Sequence, residues 1–179
     1  MSSSVSPTSQ SPAGSAGDPS PAVSAADSGA TRWLDAEEQK AWRAWLYSTQ
    51  LLQERLDREL TRTTGISHAY YEILVQLSEA PERRMRMSQL ADRSLSSRSR
   101  LSHAVSRLEE RGWVAREVCA EDGRGQLAVL TDAGFAALEA AAPVHVESVR
   151  RHLFDQLTPA QVAAIRDVGE TLLRHLGDR

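Results

Sequence analysis

The sequence predicts a mainly α-helical fold carrying a small two- to three-stranded β-element, and three observations lead there. Six segments repeat apolar residues at helical spacing, and three of them are long. One short stretch alternates in polarity and closes on Asp-Gly, a hairpin-turn signal. The length, 179 residues, suits one domain with a real core. Residues 1–31 stand apart. Of the first 30 residues, 23 are Ser, Ala, Pro or Gly, and none is aromatic, Lys or Arg. Such a segment buries too little apolar surface to offset ordering entropy, so a disordered tail is expected. It lacks the basic and apolar regions of a secretory signal. No apolar run approaches the roughly 18 residues that span a bilayer, so a cytoplasmic location and no membrane partner are expected.

The elements follow in order. Asp35 is placed to cap a first helix, with Glu37 and Glu38 favourable in its first turn. Trp42, Trp45, Leu46, Thr49, Leu52, Leu56 and Leu60 keep one face of it, and Gly65 stops it. A second helix from Ser67 to Ser78 is expected to bury Tyr70, Ile73, Leu74 and Leu77, with Pro81 past its end. After the basic connection "ERRMRM", Ser88 opens the short helix "SQLADRS" with Leu90 and Ala91 inward. Ser96 or Ser97 caps the next helix, and Gly112 ends it. "WVAREVCA" then alternates, "EDGRGQ" turns, and "LAVL" returns as the partner strand. Thr131 caps a long Ala-rich helix running to Leu157, in which Pro143 predicts a kink. In "TPAQ", Thr at the N-cap and Pro at the first helical position start a last helix. Val162, Ile165, Val168, Leu172 and Leu176 share one of its faces.

The helix in "SSRSRLSHAVSRLEERGWV" carries the functional signal. Leu101, Ala104, Val105 and Leu108 make a core face, while Ser99, Ser102, His103 and Ser106 point away from it, flanked by Arg98, Arg100 and Arg107. Between Arg83 and Arg124 the chain has ten Arg, no Lys and six acidic residues, a net of +4 inside a protein of net charge −3. A basic middle in an acidic chain is a localised electrostatic footprint. Short helix, tight turn, longer helix and hairpin is the order of a winged helix-turn-helix. A helix entering the major groove needs outward side chains that exchange hydrogen bonds with base edges, and flanking arginines that meet phosphates. The alternative for this face is a solvated, Ser-rich helix surface.

The stretch "MSQLADRSLSSRSRLSHAVSRLEERGWVAREVCAEDGRGQLAVLTDAG" resembles the core of the MarR family of bacterial transcriptional regulators. The likeness extends over roughly residues 33–177 and is most specific in "VSRLEERGWV" and "EDGRGQLAVLTDAG". It implies a D-x-R element at the wing tip, with Asp122 as support and Arg124 entering the minor groove. Leu130, Thr131 and Gly134 match its closing motif. His103 stands where relatives often carry a base-reading Arg, and Ser106 where Asp is frequent, so the operator itself is not implied. The resemblance also implies a homodimer, which gives the long outer helices a purpose. The expected organisation is an N-terminal dimerisation helix over 32–65, a DNA-binding lobe over 66–131 and C-terminal dimerisation helices over 132–179. Two recognition helices related by a two-fold axis then call for an inverted-repeat operator. Relatives commonly bind small aromatic acids or phenols between the dimer helices and the lobe, which makes Trp45, His68 and Tyr71 candidate ligand residues. The implied function is a double-stranded DNA-binding repressor modulated by such a ligand.

Other classes make different demands on the residues. There is no HExxH, CxxC, phosphate-cradling Gly loop or nucleophile–base pair, so no enzyme and no cofactor are expected. His145 and His152, seven apart, can share a helix face as a weak metal pair or as plain surface residues. Cys119 is the single cysteine, and the neighbouring Glu121 and Asp122 favour a structural over a redox role. A winged-helix protein-interaction module, or an activator without an effector, stays open. Salt-dependent, sequence-specific affinity for duplex DNA separates these alternatives.

Overall fold

A computed structural model describes residues 31–94, 96–119 and 125–177. Helix α1 (Ala36–Thr64) opens on a capping box in which Asp35 accepts from the Glu37 and Glu38 amides and Glu38 accepts from the Asp35 amide. Gly65 closes it in the left-handed conformation that glycine adopts without cost. Helix α2 (His68–Ser78), capped by Ser67, leads to strand β1 (Arg84–Arg86). Helices α3 (Met87–Arg93) and α4 (Arg98–Glu110) follow, then strands β2 (Val114–Val118) and β3 (Gln126–Leu130). Helix α5 (Asp132–His152) and helix α6 (Pro159–Gly177) complete the order. The sheet runs β1-β3-β2, antiparallel throughout, with Met85 opposite Ala128 and Arg116 also opposite Ala128 from the other side.

One core unites the lobe. Leu74, Leu77, Leu90, Leu101, Val105 and Leu108 are buried against the sheet residues Met85, Ala128 and Leu130, and the ends of α1 and α5 join through Leu60, Leu138 and Ala141. Farther along, α1 and α5 are tied by polar groups. The Glu59 carboxylate accepts from the buried Ser148 hydroxyl at 2.7 Å, lies 2.8 Å from His152 Nε2 and has Arg151 within 3.7 Å. The remaining helix surface is uncovered. Trp42, Trp45 and Leu46 on α1 are exposed, and α6 buries none of its residues within the chain. Among the described residues no helix is long and apolar enough to cross a membrane.

Four expectations need correction. The basic connection contains strand β1: Met85 enters the core between two outward arginines and pairs with Ala128. One buried residue in three is too short a pattern to read as a strand. On α2 it is Tyr71, not Tyr70, that is buried, because α5 covers that side. Helix α3 starts at Met87, one residue before Ser88, with Arg86 at the cap position. Helix α5 runs unbroken through Pro143 and ends at His152. The chain continues as a tight turn, Phe154–Gln156, held by the Arg150–Asp155 ion pair and by the Gln156 side chain on the Arg151 carbonyl.

Candidate nucleic-acid interface

Ser97 caps α4 by accepting from the Arg100 amide, and the apolar face Leu101, Val105 and Leu108 fixes the helix to the lobe. That orientation exposes Arg98, Ser99, Arg100, Ser102, His103 and Arg107, while Ser106 is half-buried. Among the described residues Arg98 and Arg100 have no ion-pair partner, whereas Arg107 is paired with Glu110 at 2.8 Å. The free cations therefore flank the first turn of the helix, with His103 at the centre of the outward face.

The net charge of the segment overstates what is available to a polyanion. Arg83 lies 3.8 Å over the Phe135 ring and bonds Asp132, and Arg84 is shared between Glu82 and Glu117. Arg111 packs over Trp113 and donates to the Gly65 carbonyl. Arg116, read from sequence only as one alternating residue of the hairpin, turns away from solvent onto α4. Its guanidinium donates to the Ser102 carbonyl at 2.8 Å, to Ser106 Oγ at 3.1 Å and to Ser102 Oγ at 3.4 Å, and pairs with Glu109 at 3.1 Å. The register signals this placement. Arg116 lies two residues beyond the buried Val114, on the same side of β2.

The wing itself is described only at its base, where the Cys119 amide donates to the Gly125 carbonyl at 2.8 Å and Cys119 is buried. Asp122 and Arg124 lie outside the described residues.

The candidate ligand residues fall in two places. His68 and Tyr71 meet His145 of α5, with ring centroids 5.2 Å apart for His68–His145 and 4.5 Å for Tyr71–His145. Together with Gln53, Glu72, Gln76, Arg93 and Ser94 they line a cleft of about 600 Å³. Trp45 is not part of it; it lies on the uncovered face of α1, 44% exposed. His145 and His152 do not converge on a common site, since His152 faces Glu59. The described residues contain no group of three metal-ligating side chains suited to an ion.

Burial, and secondarily the nearby His68, hold His145 below its ordinary value of 6.5. A depressed group contributes stability that is complete above its unfolded value and is lost as pH falls through the folded one. Glu59, held down mainly by its hydrogen bonds from Ser148 and His152, does the same from an ordinary value of 4.5. Thermal stability should therefore fall in two windows, one opening just below pH 6.5 and one below pH 4.5. His145→Phe keeps a ring against His68 and Tyr71 but does not titrate, so it should flatten the upper window and spare the lower. An unchanged upper window in that variant would rule out the assignment.

Comparison with known proteins gives a consistent result. A family model described as the MarR family matches residues 64–125. Sco3205 from Streptomyces coelicolor, a MarR family transcriptional regulator solved in complex with DNA, is 48% identical, with a TM-score of 0.79 over 83% of this chain and 92% of that one. AbsC from the same organism, also a MarR family regulator, is 42% identical, with a TM-score of 0.77 over 83% of this chain and 100% of that one. A mutant MarR from E. coli, solved with operator DNA, shares the fold at 23% identity, with a TM-score of 0.68 over 76% of this chain and 96% of that one. No significant match was found among curated proteins.

Proposed function

The chain belongs to the MarR family of transcriptional regulators, and its structural neighbours Sco3205 and AbsC are regulators rather than enzymes; on that footing we propose that it is a repressor. In this reading it acts in the cytoplasm as a homodimer on an inverted-repeat operator. Residues 66–131 read the DNA, and 32–65 with 132–179 join the two copies. The observation that carries the proposal is the outward face of α4, where His103 sits among exposed serines with the unpaired Arg98 and Arg100 beside it. Arg98, Ser99 and Arg100 at the helix start, and Arg107 farther on, suit phosphates and the groove edge. Ser102, His103 and Ser106 suit base edges. Arg124, supported by Asp122, is the proposed minor-groove contact. The effector proposed for the cleft of His68, Tyr71 and His145 is a small aromatic or phenolic molecule; Trp45 is assigned instead to the dimer face. Flat apolar rings and a few polar groups suit such a ligand.

His103 provides the test. Its replacement by Ala should weaken binding to the best operator by about 1–3 kcal/mol and relax base preference at one position per half-site. The dependence on salt should change little, because a contact to a base edge neutralises no phosphate. A His103→Ala protein with parental affinity and base preference would remove α4 from the reading surface.

A further inference from the structure

Ser102 and Ser106 of α4 depart from a pattern common among the hydroxyls of the other helices. Thr49, Thr64, Ser78, Ser94 and Thr171 each donate to a backbone carbonyl of the preceding turn. This is the usual fate of a helical hydroxyl. Ser102 and Ser106 make no such bond among the described residues. For Ser106 the reason is Arg116. Its Nη2 occupies the Ser102 carbonyl, the acceptor one turn before Ser106, and at the same time faces both hydroxyl oxygens. Glu109 holds the other end of the guanidinium at 3.1 Å, and the side chain is only 23% exposed, so the group is fixed between wing and helix.

A guanidinium has donors and no acceptor. A serine oxygen facing it can only accept from it, Ser106 from one Nη2 proton and Ser102 by sharing the proton given to its own carbonyl, and each serine proton points elsewhere. Ser106 is held more closely, at 3.1 Å, and Ser102, at 3.4 Å, is the more exposed of the two. On these grounds, and resting on the reading that α4 enters the major groove, we infer that Arg116 is a specificity-determining positioning residue that makes Ser102 and Ser106 proton donors toward the bases. An unconstrained serine reads donor and acceptor edges alike. A serine already accepting from Arg116 favours the acceptors, guanine O6 and N7 or thymine O4, and discriminates against the cytosine amino group. The wing thus sets the polarity of a reading made by the helix, without itself touching the base.

The experiment is selection from a pool of random duplexes by the full-length protein, reading base preference at each half-site position. The parent should favour guanine or thymine over cytosine at the position under Ser102 and Ser106. Arg116→Met, which fills similar space without donors, should reduce that preference by about threefold to tenfold, the worth of one hydrogen bond. Other positions should hold their preferences. Arg116→Lys, again a pure donor, should restore it. The double variant Ser102→Ala/Ser106→Ala, built from good helix formers, should lose the same preference with Arg116 in place, which keeps the inference open to refutation even if Arg116→Met folds poorly. A parental profile in Arg116→Met or in the double serine variant overturns the inference while leaving α4 as the reading helix. A parent that selects no sequence overturns both.

Discussion

Replacing Ile165 and Leu172 together with glutamate should convert the protein to a monomer and weaken operator binding by more than about a hundredfold, the avidity that joining two half-site contacts provides. Helix α6 is 19 residues long and buries none of them within the chain. In proteins a helix draws most of its stability from a packed face, and α6 has none within the chain. Ile165 and Leu172 are each 41% exposed, in line with Val168 and Leu176, and Trp42, Trp45 and Leu46 are uncovered on α1. So large an apolar face, split between the two ends of the chain, suits a second copy of itself. Burying each such side chain is worth about 1.5–3 kcal/mol, and a carboxylate in its place must be desolvated instead. Sedimentation at micromolar concentration checks the first half of the expectation and titration of the operator the second. A double variant that stays dimeric would place the interface elsewhere.

Gly134→Ala should be the most damaging of the glycine-to-alanine changes among the described residues, costing about 3 kcal/mol, the upper end for overpacking in a close-packed site. Three elements meet at this glycine. Thr131 accepts from the Gly134 amide at 3.0 Å and donates to the Gly112 carbonyl at 2.7 Å, and its own amide donates to the Trp113 carbonyl at 3.0 Å. A Cβ on Gly134 would sit 2.8 Å from Leu130 Cδ1 and nearer still to the Trp113 carbonyl oxygen. The leucine can turn, but the carbonyl is backbone and already bonded to Thr131. Relief requires moving the start of α5 away from the end of α4, and with it the helix proposed to read DNA. At roughly 2–4 °C per kcal/mol for a chain of this size, melting should fall by about 6–12 °C. A variant that melts with the parent would show that the close approach is not maintained in solution.

Where local rules act on contiguous residues, the sequence was legible. The Asp35 capping box, Gly65, the Ser97 and Thr131 caps and the inner face of α4 all follow from spacing and side-chain chemistry within one turn. Two of the misreadings, β1 and Tyr71, have a different cause, a partner distant in sequence. Strand β1 exists because β3, some forty residues later, offers an edge for three residues. Tyr71 is buried, and the cleft acquires a third ring, because α5 lays His145 against α2. The arginines between 83 and 116 looked like one cationic surface because charge can be counted along a chain. Whether a guanidinium faces solvent, a ring or a carboxylate is settled only in three dimensions. Arg116 is the clearest case, since its periodicity marked the correct side of β2 but not the helix waiting there.

Two copies of this chain are proposed to present α4 to one duplex, and footprinting of the full-length protein on its best selected duplex is the decisive experiment. Two protected half-sites related by inverted symmetry, their centres about 34 Å apart along the DNA, are the predicted result. A single asymmetric protected patch matching one subunit, or protection independent of sequence, would contradict it.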